Sequence, residues 1–149
     1  MGNPVLQPSG ASTLLDGLRV DDARMVVMDG RYFLYDKGVQ SYETKPSETT
    51  MGLAFATDPA GPYVKSHANP VVPGGHEVFA SPCVRGVVAL IVTSGESGII
   101  NTSQYAKDGV AFRWRADLDA VPSGAGAYRP EGFTDSQKKK ERRSAGVFT

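Results

Sequence analysis

Four features of this sequence occur twice, in the same order. Gly2-Asn3-Pro4-Val5 returns as Ala68-Asn69-Pro70-Val71. Val26-Val27-Met28-Asp29-Gly30-Arg31-Tyr32-Phe33-Leu34-Tyr35 reads as two strands about a tight turn, and Cys83-Val84-Arg85-Gly86-Val87-Val88-Ala89-Leu90-Ile91-Val92 repeats that hairpin with Arg85-Gly86 at the bend. A third strand follows each hairpin: Ala54-Phe55-Ala56-Thr57-Asp58 in the first copy, Gln104-Tyr105-Ala106-Lys107-Asp108 in the second, 50 residues later. Each copy then turns and closes on a short outer strand, Pro62-Tyr63-Val64-Lys65 or Ala111-Phe112-Arg113-Trp114. A repeat of this length built from four antiparallel strands is the pattern of a β-propeller blade. The expected fold is therefore all-β: a partial β-propeller of about two blades plus the start of another at Ala127-Tyr128-Arg129-Pro130-Glu131-Gly132-Phe133.

Composition agrees with that class. The 149 residues are 40% hydrophobic and include 17 Gly and 10 Pro, suited to a turn-rich β domain with a sizeable core. The formal charge is zero, but it is unevenly spread. Of the 16 basic and 16 acidic side chains, five and one fall in residues 136–149, leaving 11 and 15 in residues 1–135. The acidic body has no nucleic-acid footprint. The tail, Lys138-Lys139-Lys140-Glu141-Arg142-Arg143, reads as a solvated, disordered charge run, so residues 1–135 form the expected domain and 136–149 an appendage. One cysteine, Cys83, excludes an internal disulfide framework, and two histidines, His67 and His76, give no zinc-type cluster. No metal or cofactor is expected. Nothing near Met1 has the basic start and apolar run of a secretory signal, and the stretch from Val87 to Val92 is too short to span a bilayer. No membrane partner is expected, and the compartment, cytoplasm or periplasm, stays open.

Chemistry concentrates at Gly74-Gly75-His76-Glu77-Val78-Phe79. Two glycines permit an unusual backbone path, and they deliver an imidazole beside a carboxylate at the start of a strand. Such a pair can transfer protons, although taken alone it reads more simply as part of a solvated loop. The corresponding place before the first hairpin holds Val20-Asp21-Asp22. In a propeller, innermost strands begin around the channel mouth, so both segments bring acidic groups to one axis. Carboxylates converging on a sugar-sized mouth suit glycoside hydrolysis, which needs a proton donor and a base or nucleophile.

These residues carry a resemblance. Val20-Asp21-Asp22, Asp29-Gly30-Arg31-Tyr32-Phe33-Leu34-Tyr35-Asp36-Lys37-Gly38 and Gly52-Leu53-Ala54-Phe55-Ala56-Thr57-Asp58-Pro59 resemble the five-bladed propeller glycosidases, such as arabinanases and β-xylosidases. Asn69-Pro70, Gly75-His76-Glu77-Val78, Asn101-Thr102-Ser103-Gln104-Tyr105-Ala106-Lys107-Asp108-Gly109 and Gly126-Ala127-Tyr128-Arg129-Pro130-Glu131-Gly132-Phe133 are similar, more specifically, to glycoside hydrolase family 117. Those enzymes are 3,6-anhydro-L-galactosidases acting on agar-derived neoagarobiose. The resemblance covers residues 2–135. It implies an inverting acid/base hydrolase with His76 as general acid, Glu77 as its orienter or the acid itself, and Asp22 as the carboxylate that holds substrate and tunes the acid. Asp21, Gln104 and Arg129 take substrate-binding positions. It also places the general base on a first blade, upstream of the residues matched, so this chain by itself is expected to be inactive. Its exposed blade edges are expected to favour oligomers. Two other readings stay open: a non-catalytic carbohydrate-binding or structural propeller fragment, and an arabinanase- or xylosidase-like glycosidase.

Overall fold

The computed structural model describes residues 4–45, 48–92 and 101–118, and for residues 76–78 and 92 the backbone. Eight strands form two four-stranded antiparallel sheets. The first runs β1 (Arg19–Met28), β2 (Arg31–Val39), β3 (Thr50–Ala56) and β4 (Val64–Lys65), in that order across the sheet. The second repeats it with β5 (His76–Cys83), β6 (Gly86–Val92), β7 (Thr102–Ala106) and β8 (Arg113–Asp117). The repeat read from the sequence is thus present as two copies of one meander, a topology consistent with part of a propeller. Ala127–Phe133 and the basic tail lie outside the described residues. Among the described residues there is no α-helix, and none long and apolar enough to cross a membrane.

Local chemistry explains the hairpins. Asp29 and Gly30 both adopt positive φ, 51° and 71°, the backbone that a two-residue turn needs to match the strands' twist. The third strand has an unusual neighbour. Asn69 accepts from the Leu53 amide at 2.9 Å and donates to its carbonyl at 3.0 Å, so one side chain reads both backbone groups of β3. Met51 bridges to Val72 just beyond, which makes the repeated Asn69-Pro70-Val71 segment an extra edge on the first sheet.

The sheets pack face to face. Val26, Phe33, Tyr35, Met51 and Leu53 of the first meet Ala80, Val87, Ala89 and Ile91 of the second, and all are buried. Phe112, between β7 and β8, adds to this contact by meeting the Tyr35 ring edge-on at 6.0 Å. Two hydrogen bonds pin the pair. Thr49 Oγ1 donates to the Gly75 carbonyl at 2.5 Å, and Tyr35 donates its hydroxyl to the Gly109 carbonyl at 2.7 Å. Burial, with Asp108 nearby, pushes the Tyr35 phenol well above its ordinary value and keeps it a proton donor.

The opposite face of the first sheet is covered by the residues preceding β1. Leu6 joins Leu34 and Ala54 there, and Asp16 is buried against Lys65, to which it is ion-paired. Asp36 shares this face and is only 6% exposed, and its Oδ1 has no hydrogen-bond partner. Its register partner is Gly52, where a Cβ would lie 2.8 Å from that oxygen, so the carboxyl occupies the space a side chain would need. Desolvation first, then the nearby Asp16 charge, raise the Asp36 pKa from 3.8 to about 7, against the opposing pull of Lys65.

Two outcomes follow from this packing. A buried acid with a raised pKa weakens the fold as it ionises. Its stability contribution is intact below pH 3.8 and is lost progressively as pH rises towards 7. Asp36→Asn is expected to leave stability nearly unchanged at pH 3.5 and to raise it by roughly 2–4 kcal/mol at pH 8, read by urea unfolding. An equal effect at both pH values would show that Asp36 does not titrate in this range. Gly75, at φ 122°, sits where a Cβ would meet Ile91 Cγ2 at 2.1 Å. Gly75→Ala is expected to cost about 2 kcal/mol or more in the same assay, and an unchanged midpoint would contradict the tight contact.

Candidate functional site

The segments singled out in the sequence lie inside strands, as the first residues of β1 and β5, and not in loops before them. Each is distorted in the same way. In β1 the pairing passes from Asp21–Lys37 to Arg24–Tyr35, so Asp22 and Ala23 together oppose Asp36. In β5 it passes from His76–Val92 to Val78–Ile91, leaving Glu77 as the extra residue. Both innermost strands therefore carry a β-bulge at their first residues. A bulge re-aims side chains, and such features gather beside active sites. Neighbours on a regular strand face opposite sides. The irregularity that His76 and Glu77 would need to serve one ligand is present as this bulge, preceded by Gly74 and Gly75 at φ 71° and 122°.

The two bulges lie at the same end of the molecule. Val20 pairs with Gly38, and Gly38 with Thr50, so Thr49 marks the end of the first sheet at which β1 begins. Thr49 is the residue that holds the Gly75 carbonyl, one position before β5. This places the starts of β1 and β5 at the same end of the described structure, the position expected for a mouth.

Asp22 sits at φ 51° in its bulge, and its carboxylate, half-exposed, is ion-paired with Lys37. Asp21, less exposed than Asp22, pairs with the exposed Arg19 through Nε at 2.6 Å, a surface contact that contributes little to stability. Gln104 is on β7, two strands out from β5, opposite Ala89 and Trp114 and beside a third bulge. It is not among the residues the two strand starts bring together. Arg129 lies outside the described residues. Sequence reasoning passed over two residues that the fold makes prominent here, Thr49 and Lys37. Lys37 had a signal: a charged pair, Asp36-Lys37, inside an otherwise apolar and aromatic strand.

A cleft of about 580 Å³ lies at the other end of the first sheet, lined by Arg31, Phe55, Thr57, His67 and Val110 among others. Arg31 stacks over Phe55 there, 4.5 Å from the ring centre. No carboxylate lines it, and His67 is its one imidazole, so it lacks the pair of carboxylates that most glycosidases use. A smaller cleft of about 420 Å³ is basic, with Lys107, Arg113 and Arg115 around Tyr105 and Asp108. Among the described residues no group of three or more His, Cys, Asp or Glu side chains is gathered as a metal site.

Comparison with known proteins supplies the context for this mouth. No family model matches the chain, and no curated protein does. Among solved structures, the chain is similar to a family 117 glycoside hydrolase produced by the marine bacterium Zobellia galactanivorans. The two share 34% sequence identity and superpose with a TM-score of 0.75. The match covers 91% of this chain and 37% of the other, so the chain spans a little over a third of that enzyme's length. The resemblance read from its motifs is borne out: over nine-tenths of its length this chain is similar, in sequence and in fold, to a segment of a family 117 glycoside hydrolase.

Proposed function

We propose that the chain forms the acid-bearing side of a family 117-type active site that hydrolyses the α-1,3-linked 3,6-anhydro-L-galactosyl bond of agar-derived neoagaro-oligosaccharides. The observation that carries this reading is the pair of bulged strand starts, Asp21-Asp22 and His76-Glu77, tied to one end of the fold by Thr49 and Gly75.

In this reading His76 protonates the departing glycosidic oxygen. An imidazole suits that task because it holds and releases a proton near neutral pH. Glu77 orients the ring or shares its proton. Asp22, kept beside the Lys37 ammonium, accepts hydrogen bonds from sugar hydroxyls and stabilises the positive charge that builds on the sugar in the oxocarbenium-like transition state. Inversion further needs a base that activates water on the opposite face of the ring, with room for that water between the two groups. By the family resemblance that base is an aspartate of a preceding blade. Arg129 and Gln104 would contribute to binding from later segments. The mechanism as proposed uses no cofactor.

The proposal is tested by assaying release of 3,6-anhydro-L-galactose from neoagarobiose. The chain alone is expected to show no turnover. Fused in register to a first blade carrying the aspartate, and to closing strands, it is expected to turn over, with His76→Ala or Glu77→Ala lowering the rate roughly 10²–10⁴-fold. Sugar binding without turnover in the fused protein would favour the non-catalytic carbohydrate-binding reading. Turnover by the chain alone would assign the base to a residue present here, Asp21 or Asp22 first.

A further inference from the structure

Lys37 is out of place as a packing residue. It lies on β2 two and four positions beyond Tyr35 and Phe33, hence on the sheet face that packs against the second sheet, and it pairs in register with buried Met51. Its side chain is only 10% exposed. A lysine so placed is desolvated, and the removal of an ammonium from water is a cost that a partner must offset. The partner is Asp22, whose own side chain is 55% exposed, so the pair is buried at one end and wet at the other. Pairs of that kind contribute little to stability, and a methionine like its neighbour Met51 would fill the site at less cost. What the lysine does achieve is local. It approaches the β1 bulge from beneath and fixes one oxygen of the residue that the bulge turns outward, at the end where β5 begins.

We infer that Lys37 is the positioning residue of this mouth: it locks the Asp22 carboxylate in a single orientation for the sugar. The inference rests on the functional reading above for the identity of the ligand, but not for the geometry. An aspartate in a bulge has several open rotamers, and each unproductive one would have to be given up on binding. The ammonium, a compact cation with three donors, removes that freedom before the sugar arrives. Asp21, paired instead with the exposed Arg19, has no comparable buried anchor.

The experiment reads the orientation directly in the full chain. Three-bond couplings to the Asp22 carboxyl carbon report its χ1. The wild type is expected to show the values of one rotamer, Lys37→Met averaged values, and Lys37→Arg values close to wild type. Unchanged couplings in a folded Lys37→Met protein would overturn the inference, and Lys37→Gln supplies a second variant should that one fail to fold. Titration with neoagarobiose adds the functional half. Lys37→Met and Asp22→Asn are each expected to weaken binding about tenfold, and the double variant no more than either alone, because one residue acts through the other. Additive losses would contradict action through Asp22. If no protein binds the sugar while the couplings behave as expected, the ligand assignment fails and the positioning role stands.

Discussion

The rest of the structure depends on the interlock between two β-sheets. Val26, Phe33, Tyr35, Met51 and Leu53 of the first sheet share one buried cluster with Ala80, Val87, Ala89 and Ile91 of the second, and Phe112 meets the Tyr35 ring edge-on. That contact alone would allow the sheets to slide. The hydrogen bonds at its two ends, Thr49 to Gly75 and Tyr35 to Gly109, remove the freedom, because each joins a strand of one sheet to a specific backbone carbonyl next to the other. Once the interlock is fixed, the first residues of β1 and β5 lie at the same end of the fold, where the proposed mouth is built.

Charge inside the fold divides by face. On the face away from the second sheet, Asp16 is ion-paired with Lys65, and burial first, with the Asp16 charge second, raises the Asp36 pKa to about 7. On the inner face Lys37 and Asp22 form a pair that is buried at the lysine and open at the acid. Adjacent residues of one strand thus serve opposite ends, since consecutive side chains point to opposite faces. Asp36 adds a pH-dependent weakness to the fold, whereas Lys37 adds definition to the mouth.

Much of the fold was legible because it repeats. Asp29-Gly30 and Arg85-Gly86 mark their hairpins, and the two third strands share their spacing, so the meander emerges from turn chemistry and alternation alone. The site was legible only in outline. His76, Glu77, Asp21 and Asp22 stand out as polar groups at strand starts, but the bulges that shape them are a matter of register: one residue too many between two pairings, which no composition announces. Lys37 was hidden for a related reason. In sequence it is one half of a charged pair in an otherwise apolar strand, and only the pairing with Met51 and the contact with Asp22 reveal it as a buried cation beside the β1 bulge. The cover over the first sheet's other face was invisible too, because Leu6 and Asp16 lie in a stretch whose glycines and prolines read as plain loop.

The central claim is that the starts of β1 and β5 form a single sugar-binding mouth, and an amide chemical-shift map on adding neoagarobiose tests it most directly. The account predicts coherent shifts, saturating with one affinity, at residues 20–24 and 74–78 together, and none in the cleft around Arg31, Phe55 and His67. Shifts confined to that cleft, or to one strand start without the other, would contradict it.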